Sequence, residues 1–165
     1  KGYAARETYE SESTYKLYLV PVEQDNGGNK PDDSQEIVQN DKVKVDKSSK
    51  KVTTVPNATG NDLDNLIGGN VAVKNSNGQV INLADKLATG YTINDTYTVA
   101  VLGDVNGDGE SDAIDLLLIK RRLLGTQEFD ELKGNAADLN KDGVVDAIDL
   151  LLQKRYLLGT QNINI

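Results

Sequence analysis

Asp104–Gln127 reads DVNGDGESDAIDLLLIKRRLLGTQ, and Asp138–Gln161 reads DLNKDGVVDAIDLLLQKRYLLGTQ. The two stretches are offset by 34 residues (104 to 138) and are identical at 18 of 24 positions. Agreement at that level is an internal duplication. Two copies are too few for a solenoid, which needs about three, so the repeat predicts a paired domain with approximate two-fold symmetry. Each copy opens on an Asp/Asn/Gly-rich loop, in which Gly109 and Gly143 allow a sharp turn. An apolar run follows, Ile114–Leu124 and Ile148–Leu158. Its length, its Lys-Arg interruption and the closing Gly125 or Gly159 predict a helix of about three turns rather than a buried strand. Residues 128–137 between the copies are expected to form a short helical turn or loop.

Numbered from its first Asp, each loop places oxygen donors at positions 1, 3, 5, 9 and 12. These are Asp104, Asn106, Asp108, Asp112 and Asp115 in the first copy, and Asp138, Asn140, Asp142, Asp146 and Asp149 in the second. Position 7, Glu110 or Val144, would offer its backbone carbonyl, so its side chain is free to vary. Gly at position 6 completes the pattern of an EF-hand calcium loop, with Asp in place of the usual Glu at position 12. Four carboxylates crowded around one point repel one another, and a cation relieves that cost. Calcium accepts six to eight oxygens in irregular geometry, whereas magnesium prefers to keep its waters. Two calcium ions are therefore expected. The entering helix of an ordinary EF-hand is expected to be missing, because residues 96–102 look strand-like and residues 134–137 are too few.

Composition narrows the chemistry. The 165 residues contain no His, Cys, Met or Trp, and Lys+Arg 18 against Asp+Glu 26 give a formal net charge of -8. Without Cys there is no disulfide, thiolate nucleophile or Cys-based metal site. Without His the usual base near neutral pH and the commonest transition-metal ligand are gone, so any metal must be a hard one held by oxygen. The acidic balance argues against a nucleic-acid partner. No apolar run is long enough for membrane insertion, and no secretion signal is visible. A chain beginning at Lys1 with no Met reads as a processed or excised piece of something longer.

The first hundred residues have another texture. Ser13–Val22 alternates as a strand, and Asp25–Asp33 (DNGGNKPDD) reads as a linker or long loop. Strand-like runs follow at Val43–Val45, Val52–Val55, Val71–Lys74, Val80–Leu83 and Tyr97–Leu102. Asn61–Ile67 suits one short helix, and Asn75–Gly78 suits a hairpin turn. Tyr91 and Tyr97 are expected in the core. The fold class is α+β: a small β-rich module, immunoglobulin-like or β-grasp-like, over residues 1–102, then a helical domain over 103–165. Residues 1–40 are read as linker or as a strand of an upstream domain. The absence of a spacer at Gly103 predicts that the two modules pack together.

A duplicated loop–helix with Asp at position 12, Leu after it and Lys-Arg at positions 17 and 18 resembles a dockerin domain over about Gly103–Gln161. The β-rich stretch before it resembles the X modules of secreted proteins, by architecture alone. The resemblance implies an extracellular, bacterial, calcium-dependent plug that binds a cohesin module and fixes its parent protein into a cellulosome-like or cell-surface assembly for polysaccharide degradation. It also implies that positions 10 and 11 (Ala113, Ile114, Ala147, Ile148) set partner choice, helped by Lys120, Arg121, Lys154 and Arg155. Ala-Ile points to a more apolar contact than the hydroxyl residues common in cellulose-degrading examples. Ile114 and Ile148 could equally be core, and the basic residues a solvated face. Leu116, Leu117, Leu123, Leu124, Leu150, Leu151, Leu157 and Leu158 are read as the core between two antiparallel helices.

Three function classes compete. A docking module is favoured. An enzyme, such as a two-carboxylate glycosidase, is disfavoured because the clustered carboxylates are committed to the loops and neither Glu36 nor Glu128 stands in an acid–base setting. The chain is thus read as non-enzymatic, with no catalytic residues, although it could be the non-catalytic tail of a secreted polysaccharide-degrading enzyme. The third class is a structural surface or filament subunit that self-assembles with calcium through the strand Ser13–Val22.

Overall fold

A computed structural model describes residues 37–67 and 70–165, within one compact unit spanning Asp32–Ile165. The expected strand Ser13–Val22 and the linker Asp25–Asp33 lie outside the described residues. The strands are β1 (Ile37–Gln39), β2 (Val43–Asp46), β3 (Lys51–Thr54), β4 (Val73–Lys74), β5 (Thr92–Ile93) and β6 (Tyr97–Val101). They form one sheet in the order β1-β2-β3-β6-β5-β4. Neighbours are antiparallel except β3 and β6, which run parallel in the register Lys51↔Thr98 to Thr54↔Val101. Parallel pairing needs a crossover. Here it contains a 3-10 turn at Gly60–Leu63, the short helix α1 (Asp64–Ile67) and the β4–β5 edge.

Alternation fixes which face is buried. Val43 and Val45 of β2 and Val52 and Thr54 of β3 are fully buried, while their neighbours Lys44, Asp46, Lys51 and Thr53 are only partly so. With Leu63, Val73, Leu87, Ile93, Val99 and Val101, the three valines build the first apolar cluster; Tyr91 and Tyr97, expected in the core, are only partly buried and pack against it. The central strand β6 ends in a continuous buried run, Val99–Leu102, because both of its faces are covered. Val101 belongs to the first cluster, whereas Leu102 joins a second with Val105, Ile119, Ala137, Leu139 and Ile163. The second cluster serves the helices α2 (Ala113–Leu123), α3 (Glu131–Ala137) and α4 (Ala147–Leu157). At the junction, Gly103 N–H donates to the Ala136 carbonyl at 2.8 Å, and Lys51 of β3 pairs with Glu131 of α3.

Several sequence expectations need correction. Val80–Leu83 is not a strand: the Asn75–Gly78 turn forms, but pairing stops after one bridge, Lys74↔Val80, and one further bond from Ile81 to Val73. Asn82 then takes the Ala84 N–H onto its side chain, which turns the chain away. β1 and β5 are real strands too short to show a pattern. Loop two does have an entering helix, since α3 runs to Ala137 and is capped by Asp130, whose side chain accepts from Lys133 N–H.

The leucine core is also wrong in register. Leu117, Leu123, Leu124, Leu151, Leu157 and Leu158 are exposed, and Leu116 and Leu150 only partly buried. The cause lies at the start of each helix. Asp115 must face its own loop, and that fixes the rotation of α2. Residues 115, 118, 119 and 122 then point inward at helical spacing, and 114, 117, 121 and 124 point out.

Candidate metal loops and docking face

Each loop folds around its first and last Asp. Asp104 accepts from Gly107 N–H at 2.7 Å, Asp108 N–H at 3.2 Å and Gly109 N–H at 3.2 Å, so the loop wraps its own first carboxylate. Asp115 accepts from Val105 and Asn106 N–H at 2.8 and 3.0 Å and from Asp112 N–H at 2.9 Å. The second loop repeats the arrangement. Asp149 accepts from Leu139, Asn140 and Asp146, and Asp138 accepts from Asp142 and Gly143. Asn106 and Asn140 bridge to Asp108 and Asp142 at 2.7 and 2.8 Å. Position 6 needs glycine for its backbone, with φ of 87° at Gly109 and 89° at Gly143. Asp112 and Asp146 act as helix N-caps, accepting from Ile114 and Ile148 N–H, and Asp115 and Asp149 complete a capping box in each helix.

Among the described residues no three acidic side chains are placed to hold a metal by themselves. Asp112 and Asp146 cap their helices, and Asp104, Asp115 and Asp149 accept from backbone N–H groups of their own loops. The donor chemistry still fits a hard cation. Burial pushes the carboxyls of Asp104, Asp115 and Asp149 above the usual range, and neighbouring charge adds to it: Asp108 acts on Asp104, Asp104 on Asp115 and Asp138 on Asp149. Backbone N–H dipoles oppose this without supplying a net positive charge. Buried carboxylates held this way, Asp104 and Asp115 in the first loop and Asp149 in the second, suit a divalent ion in each loop with oxygen ligands from carboxylates, Asn side chains and backbone carbonyls. Burial, with Lys44 nearby, also holds Lys141 in loop two below the usual lysine range.

The helices carry matching outer stripes. Ile114 and Ile148 are 54% and 51% exposed, and Leu124 and Leu158 are both 66% exposed. Ala113, Lys120, Arg121 and their counterparts Ala147, Lys154, Arg155 are exposed beside them. The open question about Ile114 and Ile148 is thereby answered: they are not core. Sequence reading missed two partners of the loops. Gln153, fully buried, donates to Ser111 Oγ at 3.0 Å and to the Gly103 carbonyl at 3.3 Å. Thr89, from the β-rich region, donates its N–H to Asp104 Oδ2 at 2.9 Å. A polar residue at 153 where the first copy has Ile119 was a visible signal; nothing in the sequence marks Thr89.

Residues 102–158 match the model of the dockerin type I domain, about a third of the chain, and this segment is a dockerin domain. Dockerin domains are non-catalytic modules that bind calcium and dock onto cohesins. No curated protein is similar enough to this chain to count as a match. Among the described residues no helix is long and apolar enough to cross a membrane.

Proposed function

We propose that this chain is a calcium-dependent docking unit that binds a cohesin of a scaffold or cell-surface protein and thereby attaches its parent protein to a cellulosome-like assembly outside the cell. The observation that carries the reading is the pair of exposed stripes, in which Ala113, Ile114, Lys120 and Arg121 recur as Ala147, Ile148, Lys154 and Arg155. Soluble domains rarely leave the same apolar residues in water twice without a partner. One calcium ion per loop would be held by Asp104, Asn106, Asp108, Asp112 and Asp115 with the Glu110 carbonyl, and by Asp138, Asn140, Asp142, Asp146 and Asp149 with the Val144 carbonyl. The ion would offset half of the charge on each loop's four carboxylates and lock the rotation of each helix, which sets what its outer stripe presents.

On this reading residues 103–165 are the docking domain and residues 1–102 a non-enzymatic brace. A single mixed sheet favours the β-grasp-like alternative over the immunoglobulin-like one, which needs two packed sheets. Calorimetric titration of the full chain against a panel of cohesin types, with calcium and with a chelator, tests the proposal. Binding to one type that vanishes with the chelator is expected. Failure to bind any type, or binding indifferent to calcium, overturns it.

A further inference from the structure

The two loops share their sequence but not their surroundings. The segment Lys86–Thr89, between β4 and β5, lies against the outside of the first loop. Lys86 Nζ pairs with Glu110 at 2.7 Å, Ala88 and the Leu87 carbonyl lie beside Gly109, and Thr89 N–H reaches Asp104. The closest approach is at position 4, where a Cβ on Gly107 would stand 2.8 Å from the Thr89 carbonyl oxygen. Gly107 also has φ of 81°, so a side chain there would be both strained and blocked. The second copy carries Lys141 at this position, at φ 62°; its side chain is largely exposed, with only the ammonium covered where it donates to the Asn164 carbonyl at 2.8 Å. Likewise Asp104 is fully buried where Asp138 is only partly so, and Gly109 is buried where Gly143 is exposed with nothing near its missing Cβ.

We propose that the Lys86–Thr89 segment is a clamp on the first calcium loop alone, making it a slowly exchanging structural site and leaving the second loop as the one that loads and empties with ambient calcium. The inference rests on the calcium reading above. Its physical basis is preorganisation: Thr89 holds the Asp104 carboxylate in place before the ion arrives, and the clamp covers one way out of the loop. Differences of this kind are expressed mainly in the dissociation rate.

The test uses the full chain with one loop disabled at a time. Calcium release is followed by stopped-flow mixing with a fluorescent chelator. In Asp138→Ala, which keeps loop one, release should be slower by about tenfold or more than in Asp104→Ala, which keeps loop two. Adding Gly107→Lys to Asp138→Ala should bring the rate up to that of loop two. Lys86→Ala, a milder change, should move it part of the way. Amide exchange on the unmutated chain is independent of mutant folding: on stepwise calcium removal the Thr89 N–H should stay protected after the second loop has emptied. Equal release rates, or Thr89 protection lost together with the second loop, overturn the clamp while leaving the calcium reading intact. No calcium uptake by either variant or by the unmutated chain overturns the calcium reading, and the clamp with it.

Discussion

Gln153 Nε2 donates to Ser111 Oγ at 3.0 Å, tying the second helix to the first loop. In the other half of the repeat the equivalent positions are Ile119 and Val145, which share the second apolar cluster. Two of the six differences between the copies thus compensate one another, polar with polar and apolar with apolar. Gln153→Ile alone should leave the Ser111 hydroxyl and the Gly103 carbonyl without their donor in a buried place, costing about 1–3 kcal/mol. Adding Ser111→Val should recover part of that loss. Urea denaturation of the four proteins of this double-mutant cycle, in saturating calcium, measures the coupling; additive effects would mean that the two residues do not act as a pair.

The outer stripes make a second prediction. Ile114 and Ile148 differ little in exposure, and Lys120-Arg121 and Lys154-Arg155 are exposed alike. Either helix could therefore present nearly the same surface after a rotation of about 180°. Replacing Ala113, Ile114, Lys120 and Arg121 alone should weaken cohesin binding by less than about tenfold, whereas replacing both sets should abolish it. Arg122 against Tyr156 changes charge and bulk on partly buried positions of the two helices, and is the difference most able to bias one orientation. Total loss of binding from the first set alone would show that the second half is only structural.

The Asp/Asn/Gly loops, the helices and the β-rich texture upstream were legible because their signals are local. A ligand spacing, a glycine and a cap depend on residues a few positions apart. The rotation of the helices was not legible from hydrophobicity, since leucine fills both the inner and the outer stripe. It follows from Asp115 and Asp149, whose three backbone donors fix which side faces the loop. α3 was legible only as a short helical turn or loop, not as an entering helix, because ELKGNAA has a glycine within it and few apolar residues, and its place is set by contacts such as Gly103 to Ala136. Short pairings such as those of β5 were equally invisible, because two residues carry no periodicity. The contact between Thr89 and Asp104 is a backbone donor meeting a carboxylate 15 residues away, which no side-chain pattern encodes.

Asp62 supplies a pH prediction. Burial opposes its ionisation, but the Lys42 ammonium at 2.9 Å and the Thr59 N–H and hydroxyl at 2.8 and 3.0 Å outweigh that and hold its carboxyl below the usual range. A depressed folded value contributes stability that is present above the unfolded value of about 3.9 and is lost as pH falls through the folded one. Asp62→Asn should therefore cost about 1–2 kcal/mol near neutral pH, a figure kept low because Lys42 is half exposed. The cost should shrink below about pH 4, where the native chain loses the same interaction. Melting curves with calcium at several pH values measure this; a penalty independent of pH would mean the charge on Asp62 is not what matters.

Leu102 decides whether the sheet and the helices melt together. It follows directly on β6, whose Val101 packs in the sheet's cluster, yet its own side chain is fully buried in the helices' cluster beside Val105 and Ile119. Leu102 N–H also donates to the Thr54 carbonyl at 2.8 Å, which holds the strand's end in the sheet. Consecutive residues, the last of the strand and the one after it, thus serve two cores, and neither core can open without pulling on the same backbone. The sheet's cluster is built mainly of valine with few aromatics, so alone it would be marginal, and shared burial at this junction offsets that. Leu102→Ala should cost about 2–5 kcal/mol. Because the cores are joined, the change should lower the melting temperature of a single calorimetric transition rather than uncouple two. Adding calcium, if held at the two loops as proposed, should raise that same transition as a whole. Two separate transitions in the unmutated chain, with only the later-melting one responding to calcium, would show that the sheet is a tethered neighbour rather than part of one cooperative body.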